Sequence, residues 1–230
     1  DQLLSRPPVV LLAGDVGCGK TALARSVATP LGERLDQRVT CLEAPTDLRG
    51  TGLVGEISAR ITAAFDQARR KLGRSKVGLL ILDEVDDLGT RRSQTQAHHE
   101  DRAGLNALLR QLDALGGDEV RLATILITNR PAVLDPALRR RVGLELHFAR
   151  PDAKARAELL ATSLPHLPAD ACRSLAARLE DFTHSDVRMR LIPQAIRLAH
   201  AADEPVSIKH LQAAETLINA SPRLVDGGTL

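Results

Sequence analysis

A glycine-rich segment near the start of the chain has the residue types of a phosphate-binding loop. The pattern G-x-x-x-x-G-K-[ST] is matched at every fixed position by Gly14, Asp15, Val16, Gly17, Cys18, Gly19, Lys20 and Thr21. In this pattern the backbone N–H groups surround phosphate, the lysine reaches the β- and γ-phosphates, and the threonine hydroxyl binds Mg²⁺. A glycine turn that binds nothing is the alternative, but it does not explain the lysine and threonine. The segment therefore predicts binding of a nucleoside triphosphate.

A pair of carboxylates follows an apolar run at residues 77–82. A run that is apolar on both faces is typical of a central parallel strand, and ligands bind at the carboxyl ends of such strands. There Asp83 would hold the Mg²⁺ bound by Thr21, through water, and Glu84 would polarise the attacking water. Because two further acids follow, a solvated acidic loop is the alternative interpretation.

A third apolar strand ends in a polar amide at Asn129, which could orient water against the γ-phosphate. An ordinary Asn-Arg-Pro turn is the alternative. Farther along, three consecutive arginines close the segment 134–141. They allow three interpretations: a patch for the phosphate backbone of nucleic acid, a solvated helix end, or an arginine finger that reaches a neighbouring subunit's nucleotide.

Alternating strand and helix patterns must position these residues. We expect strands at residues 8–13, 38–43, 77–82, 122–128 and 144–148, and helices at 21–28, 58–72 and 102–115. The polar, aperiodic residues 89–101 are predicted to form a loop. The pattern predicts an α/β fold with a parallel sheet flanked by helices.

The chain changes character after residue 150, where only helical patterns remain. Helices are predicted at 152–163, 169–181, 185–202 and 207–220, with Asp152, Ser185 and Ser207 as N-caps. Pro193 should interrupt the third of these helices. We therefore expect two domains, an α/β nucleotide-binding domain at 1–150 and a small all-α domain at 151–230.

Composition narrows the class of protein. Of the 230 residues, 43% are apolar and only 1% are aromatic, so the core must be aliphatic and a base-stacking platform for single-stranded nucleic acid is disfavoured. The formal net charge of +2 gives no general attraction to DNA or anionic membranes. The three cysteines lack metal-ligand spacing and indicate a reducing compartment.

Location follows from what the sequence lacks. It has neither a signal peptide nor an apolar stretch near the ~20 residues of a membrane span, so we expect a cytoplasmic protein without a membrane partner. Because the chain opens on Asp1 and not on Met, we also expect a preceding N-terminal segment.

These motifs together resemble the AAA+ ATPases. Walker A at 14–21, Walker B at 79–84, sensor 1 at Asn129 and the Leu-Asp-Pro-Ala-Leu-Arg segment occur in family order and spacing. The last segment is similar to that of the protein-remodelling branch. The resemblance implies a P-loop AAA+ sheet followed by a helical lid. It also implies an arginine finger at Arg140, with Arg141 beside it.

Less regular segments extend the resemblance. Leu53 and Val54 lie where remodelers carry pore loop 1, although an ordinary turn would suit them as well, and residues 89–101 match pore loop 2. His98 and His99 in that segment could suggest a metal, but no partner ligand is visible. Residues 185–193 resemble the pachytene-checkpoint branch, which remodels HORMA-domain proteins and whose bacterial members accompany antiphage systems. Val187 stands where that branch has its sensor 2 arginine, so Arg188 is the candidate substitute.

The resemblance implies an ATP-hydrolysing, Mg²⁺-dependent ring, a homo-hexamer, that remodels a partner protein such as a HORMA-domain protein. A nucleic-acid partner is not expected. One alternative is a DNA-associated AAA+ ATPase, such as a loader or helicase-loading factor, which would use the arginine cluster at 139–141. A second alternative is a nucleotide switch that binds ATP without appreciable turnover.

Overall fold

The computed structural model describes residues 8–45, 55–72, 77–88, 97–117 and 121–223, with the backbone alone at 87, 88, 97–101 and 117. Within these residues the strands are β1 (Val9–Gly14), β2 (Val39–Glu43), β3 (Val77–Leu82), β4 (Arg121–Thr128) and β5 (Leu144–Phe148). The α-helices are α1 (Lys20–Ser26), α2 (Ala28–Leu35), α3 (Glu56–Leu72), α4 (Ala97–Ala114), α5 (Pro136–Arg139), α6 (Ala153–Ser163), α7 (Ala169–Arg178), α8 (Ile192–Ala201) and α9 (Ile208–Glu215). A π-helical segment, Asp186–Leu191, precedes α8.

The strands form one sheet in the order β2-β3-β4-β1-β5. Strands β1 and β3 both pair in parallel with β4, and β2 pairs in parallel with β3. The register places Ala13 opposite Thr128 and Leu82 opposite Leu126, so β1, β3 and β4 end at one edge of the sheet. The predicted α/β fold with a parallel sheet is confirmed, and the three strands that precede the motifs end together.

Helix α3 packs onto the sheet through one apolar face. Its buried residues recur at helical spacing: Ile57, Ile61, Ala64, Phe65, Ala68 and Leu72. They share a core with apolar side chains of β1, β3 and β4 and of α4. This core is mainly aliphatic, as the composition predicted, and one of the few aromatic residues, Phe65, is fully buried in it.

The chain divides into two compact units. The sheet unit consists of Asp1–Gly14 and Lys20–His147, and the helical unit consists of Asp15–Gly19 and Phe148–Leu230. The middle of the phosphate-binding loop thus belongs to the same unit as the C-terminal helices. The predicted domains at 1–150 and 151–230 describe continuous stretches of chain and stay a prediction.

The helical unit has its own core, formed by α6, α7, the π-helical segment, α8 and α9. The Asp152 carboxylate accepts the Ala155 N–H at 2.7 Å, which confirms the predicted N-cap of α6. The predicted interruption at Pro193 is a π-helical segment that ends at Leu191, two residues before the proline. Since proline lacks an N–H group, the wider turn accommodates it.

Ser185 is not the N-cap that the sequence predicted. Its backbone is already helical, and its side chain makes no capping bond. Thr183 and Asp186 form the cap instead: the Asp186 carboxylate accepts the Thr183 N–H at 3.0 Å, and Thr183 Oγ1 accepts the Asp186 N–H at 3.1 Å. The sequence prediction placed the N-cap two residues too late, because Thr183 and Ser185 both carry a hydroxyl group that can cap a helix.

Two other boundaries differ from the prediction. Helix α4 begins at Ala97, so residues 97–101 are helical and not part of a loop. Their polar sequence hid the helix, because among the described side chains of α4 the buried apolar ones begin at Leu105. Helix α2 was not predicted, since it contains Pro30 and Gly32; Pro30 lies in its first turn, where a missing N–H costs little.

Candidate nucleotide-binding site

The phosphate-binding loop needs glycine for two separate reasons. Gly17 and Gly19 have φ angles of +74° and +96°, which residues with a side chain rarely adopt. A Cβ on Gly17 would also lie 2.7 Å from Thr183 Oγ1 and 2.8 Å from Ser185 Cβ. The Gly17 carbonyl accepts the Ser185 N–H at 3.1 Å. A side chain at Gly17 would therefore meet both an unfavourable backbone conformation and a steric clash.

The other predicted loop residues differ in exposure. Asp15 is half-buried, Val16 is 47% exposed, and Cys18 is buried. Lys20 begins α1 and is only 4% exposed, and its Nζ donates to the Gly14 carbonyl at 3.0 Å. A buried ammonium group requires polar partners. This bond therefore stabilises the buried Lys20 side chain against Gly14, the first residue of the loop.

Thr21 and Asp83 are 62 positions apart in the chain but in direct contact. Thr21 Oγ1 donates to Asp83 Oδ2 at 2.8 Å, and Asp83 Oδ1 accepts the Glu84 N–H at 2.9 Å. The contact arises because β1 and β3 both flank β4 and end at the same edge. Hydroxyl and carboxylate oxygens are the ligands that Mg²⁺ prefers, so the two residues fit the ion that the sequence predicted here.

Glu84 directly follows Asp83 and is exposed. Its φ angle is +57°, in the left-handed region that non-glycine residues seldom occupy. Such a conformation costs on the order of 1–3 kcal/mol and is concentrated at functional sites. The strained backbone turns the chain sharply after β3, and the second carboxylate stays accessible.

Asp86 has a role that the sequence interpretation missed. It is 7% exposed, and its Oδ1 accepts a hydrogen bond from Thr128 Oγ1 at 2.9 Å and from the Asn129 N–H at 3.4 Å. Thr128 Oγ1 in turn accepts the Arg130 N–H at 3.0 Å. Asp86 therefore connects the turn after β3 to the end of β4 and positions the backbone of half-buried Asn129. The only signal for it in the sequence was a threonine as the last residue of an apolar strand.

The two predicted finger residues have different environments. Arg141 forms a bidentate ion pair with Asp113, at 2.8 and 2.6 Å, and its Nη1 donates to the Ala137 carbonyl at 2.8 Å. The hydrogen bond to Asp113 raises the pKa of Arg141 above its usual value. Arg140 is exposed, and its guanidinium makes no hydrogen bond or ion pair with any residue that the structure describes.

Arg188, the predicted sensor 2 substitute, is exposed on the π-helical segment, while the preceding Val187 is completely buried in the core of the helical unit. A valine at that position packs where an arginine would have to bury its charge.

A second polar residue that sequence reasoning missed is Arg150, whose side chain is 9% exposed. Its Nε donates to Asp15 Oδ2, in the phosphate-binding loop, at 2.6 Å. Nothing in the sequence distinguished this arginine from other basic residues, because the two partners are 135 positions apart.

Several sequence predictions fall outside what the structure describes. The candidate pore-loop residues Leu53 and Val54 are outside it, as are residues 89–96 and the side chains of His98 and His99. Among the side chains that are described, no group of three or more His, Cys, Asp or Glu residues could hold a metal ion. None of the described helices combines the length and the apolar character needed to cross a bilayer.

Comparison with known proteins agrees with this geometry. The model of the ATPase family associated with various cellular activities (AAA) matches residues 10–150. CD-NTase-associated protein 6 from Escherichia coli (strain MS 115-1) is 36% identical over 243 aligned positions, which cover 98% of this chain and 78% of that protein.

Two solved structures are also similar. In the E. coli MS115-1 HORMA:CdnC:Trip13 complex, the matching chain has a TM-score of 0.83 and 36% identity over 98% of this chain and 78% of that one. Rhizobiales Trip13 has a TM-score of 0.68 and 30% identity, over 96% of this chain and 77% of that one.

The sheet, the phosphate-binding loop and the acidic strand end define a P-loop nucleotide-binding protein, and the chain belongs to the AAA family of ATPases. Within that family it is similar to CD-NTase-associated protein 6 and to Trip13. The predicted resemblance to AAA+ ATPases of the pachytene-checkpoint type is thereby confirmed.

Proposed function

We propose that this protein hydrolyses ATP and uses the hydrolysis cycle to change the conformation of a HORMA-domain partner. The observation that carries the catalytic part is the 2.8 Å hydrogen bond between Thr21 Oγ1 and Asp83 Oδ2. It brings together the two residues that the motifs assign to Mg²⁺, and the N–H of Glu84 donates to the same Asp83 carboxylate. The similarity to the Trip13 chain of a HORMA complex supports the proposed partner.

The residues have distinct roles in the proposed reaction. The loop from Gly14 to Thr21 binds the phosphates through its N–H groups, and Lys20 exchanges its bond with the Gly14 carbonyl for the β- and γ-phosphates. Thr21 and Asp83 would hold Mg²⁺, which would supply positive charge beside the phosphates. These groups reduce the electrostatic repulsion between the attacking water and the negatively charged triphosphate.

The attacking water needs a base and an orientation. Glu84 accepts a proton from the water as its oxygen bonds to the γ-phosphorus and the bond to ADP breaks. Asn129 orients the same water, and Asp86 holds the backbone of Asn129 through its carboxylate. Substitution of Asn129 or Asp86 should therefore slow hydrolysis more than it weakens binding of ATP.

Arg140 is the proposed arginine finger and acts on the nucleotide of a neighbouring subunit. Its exposure and its lack of a partner among the described residues support that role, because a finger must be able to leave its own subunit's surface. Arg141, bound to Asp113, is better suited to hold the finger segment in place. A trans finger implies a ring, which we propose to be a homo-hexamer, with Arg188 as the sensor 2 residue.

The ring is proposed to act in the cytoplasm, in an antiviral defence setting. The DNA-associated alternative is not favoured. It relied on three adjacent arginines, but Arg139 donates to the Pro131 carbonyl and Arg141 is paired with Asp113. Of the three, only the guanidinium of Arg140 has no partner among the described residues, so the cluster offers little free charge to a phosphate backbone.

The first experiment measures ATP binding and phosphate release for the wild type, Glu84→Gln and Lys20→Ala. We expect Glu84→Gln to keep the wild-type affinity for ATP and to lose turnover by about 10²–10⁴-fold, since it removes the base alone. Lys20→Ala should lose binding. Undiminished turnover in Glu84→Gln would show that another group activates the water.

The second experiment uses Glu84→Gln as a trap for the partner. The ATP-loaded variant is incubated with nuclease-treated lysate of the source organism, and the retained proteins are identified by mass spectrometry with Lys20→Ala as the control. Enrichment of a HORMA-domain protein supports the proposal. Retention of DNA-metabolism proteins, or loss of all partners after nuclease treatment, supports the DNA-associated alternative.

A further inference from the structure

Arg150 connects the phosphate-binding loop to two distant segments of the helical unit. Besides its 2.6 Å bond to Asp15, its Nη1 donates to the carbonyls of Asp181, at 2.6 Å, and Ser221, at 2.8 Å. Its Nη2 is buried without a hydrogen-bond partner among the described residues. One guanidinium group thus holds the loop, the chain just after α7, and the chain after α9.

The loop is held at a second point, and the two points are linked. The Gly17 carbonyl is bound by Ser185, which lies between Thr183 and Asp186. Asp186 is 1% exposed and accepts hydrogen bonds from Ser221 Oγ at 2.6 Å and from the Ser221 N–H at 3.1 Å. Ser221 therefore contacts both the Arg150 side chain and the Asp186 carboxylate, which closes the network.

The charge of Asp15 gives this network a consequence for ligand binding. A phosphate-binding loop attracts anions through its N–H groups, whereas a carboxylate within the loop repels them. Asp15 Oδ1 also accepts the N–H of Val16, at 2.8 Å, inside the loop. A guanidinium bound to Asp15 Oδ2 cancels the negative charge that this side chain adds.

We propose that Arg150 is a positioning residue of the nucleotide site, which neutralises Asp15 and fixes the phosphate-binding loop to the backbone at Asp181 and Ser221. This inference rests on the nucleotide binding of the proposed function and names a residue outside its motifs. Arg150 does not contact the phosphates in this role. It acts through Asp15, so removal of Arg150 takes away a positive charge that offsets the carboxylate in the loop.

The role predicts a specific pattern in a double-mutant cycle. Binding of a fluorescent ADP analogue with Mg²⁺ is titrated for the wild type, Arg150→Met, Asp15→Asn and the double variant, together with ATP turnover and thermal stability. Arg150→Met should bind the analogue about tenfold more weakly, a coupling of typical size for charged neighbours in one network. Asp15→Asn should bind at least as tightly as the wild type, and the double variant should regain most of the tenfold loss.

The control is Arg173→Met, which makes the same substitution at an exposed arginine paired with Asp170 in α7 of the same unit. It should leave the affinity for the analogue unchanged. Arg150→Lys keeps the charge but has one nitrogen in place of the two that reach Asp15 and the carbonyls, and should bind the analogue within about threefold of the wild type if charge neutralisation dominates. This variant also tests the proposal in case Arg150→Met does not fold.

The outcomes separate this inference from the proposed function. A double variant as weak as Arg150→Met, or a folded Arg150→Lys with a tenfold loss, would show that Arg150 only stabilises the fold and would overturn the inference. A wild type that binds the analogue but does not hydrolyse ATP would overturn the proposed function, while the predicted cycle would still support the inference. A wild type that binds no nucleotide would overturn both.

Discussion

The polar residues that stand out in the sheet unit and in the helical unit differ in their exposure to solvent. In the sheet unit, Glu84 and Arg140 are exposed and Asn129 is half-buried. In the helical unit, Asp186 is 1% exposed and accepts hydrogen bonds from Thr183, Ser221 and Arg190. The candidate catalytic groups Glu84, Asn129 and Arg140 are thus more accessible than the carboxylate that holds the backbone, which is buried and hydrogen-bonded. Among these residues exposure separates candidate catalytic groups from backbone-holding ones, although the candidate phosphate ligand Lys20 is itself only 4% exposed.

The largest effect is expected at Arg140, one of the exposed residues of the sheet unit. Arg140→Ala should lower ATP turnover by about 10³-fold, the usual loss for an arginine finger, with no change in the thermal unfolding midpoint. Turnover and unfolding are measured on the same preparation. Rings mixed from Arg140→Ala and Lys20→Ala subunits should regain activity, because intact half-sites then meet at mixed interfaces. No recovery in rings shown to be mixed would argue against a finger that acts in trans.

The next largest effect is expected at Asp186, where buried donors would lose their acceptor. Asp186→Ala should lower the free energy of unfolding by about 3 kcal/mol, because the N–H groups of Thr183 and Ser221 are left unsatisfied. Urea denaturation measures this difference. Arg173→Ala, at an exposed pair in the same unit, is the matched control. A loss below that of the control would mean that the network contributes little to stability.

The pH dependence of stability provides a separate test of the same carboxylate. Burial alone would raise the pKa of Asp186, but hydrogen bonds from Ser221, Thr183 and Arg190 outweigh burial and hold it well below its ordinary value. Since the folded-state pKa is depressed, the contribution to stability is complete above about pH 4 and is lost as the pH falls below it. Stability measured from pH 6 to pH 2.5 should therefore fall less steeply in Asp186→Asn than in the wild type.

Asp86 tests this comparison within the sheet unit, because it is a buried acid two residues after the exposed Glu84. Asp86→Ala should cost about 2 kcal/mol of stability and also lower turnover, since Thr128 and Asn129 lose their acceptor. Thr128→Val, which removes only the hydroxyl, is the matched partner and should reproduce part of both effects. If Asp86→Ala lowered turnover without any loss of stability, Asp86 would act in catalysis and would not be a residue that holds the backbone.

The smallest effect is expected at Arg141. Its ion pair with Asp113 is partly exposed, at 26% and 50% of the two side chains, so Arg141→Met should cost under about 1 kcal/mol. Turnover should fall far less than in Arg140→Ala. Equal losses of turnover in the two variants would show that Arg140 and Arg141 do not differ in their roles.

Sequence reasoning predicted much of the fold and the local motifs. All five strands were predicted to within one residue. Three of them, β1, β3 and β4, are mostly buried, and buried parallel strands are continuous apolar runs with clear ends. The phosphate-binding loop and the Asp83-Glu84 pair were also predicted, since their spacing is local. The start of α4 was misjudged because its first turn is polar, and α2 was missed because proline and glycine interrupt its pattern.

Long-range polar contacts could not be predicted in the same way. In the sequence, Asp86 only supports the alternative of a solvated acidic loop, yet in the structure it contacts Thr128, 42 positions away. The Arg150–Asp15 pair spans 135 positions, and neither residue is part of a periodic pattern. Pairing of charged side chains depends on where the backbone places them, and many basic residues in this chain were equally available as partners.

The sequence by itself determined the class of protein, because a phosphate-binding loop needs its glycines, lysine and threonine at fixed local spacing, and the comparisons show the AAA family to which that spacing belongs. Only the tertiary structure decided which of two adjacent arginines is accessible and which carboxylates are buried. It also decided that, within the helical unit, Arg150 joins Asp15 of the loop to the backbone at Asp181 and Ser221. Local geometry is encoded within a few residues, whereas burial and ion pairing arise only when distant segments pack together.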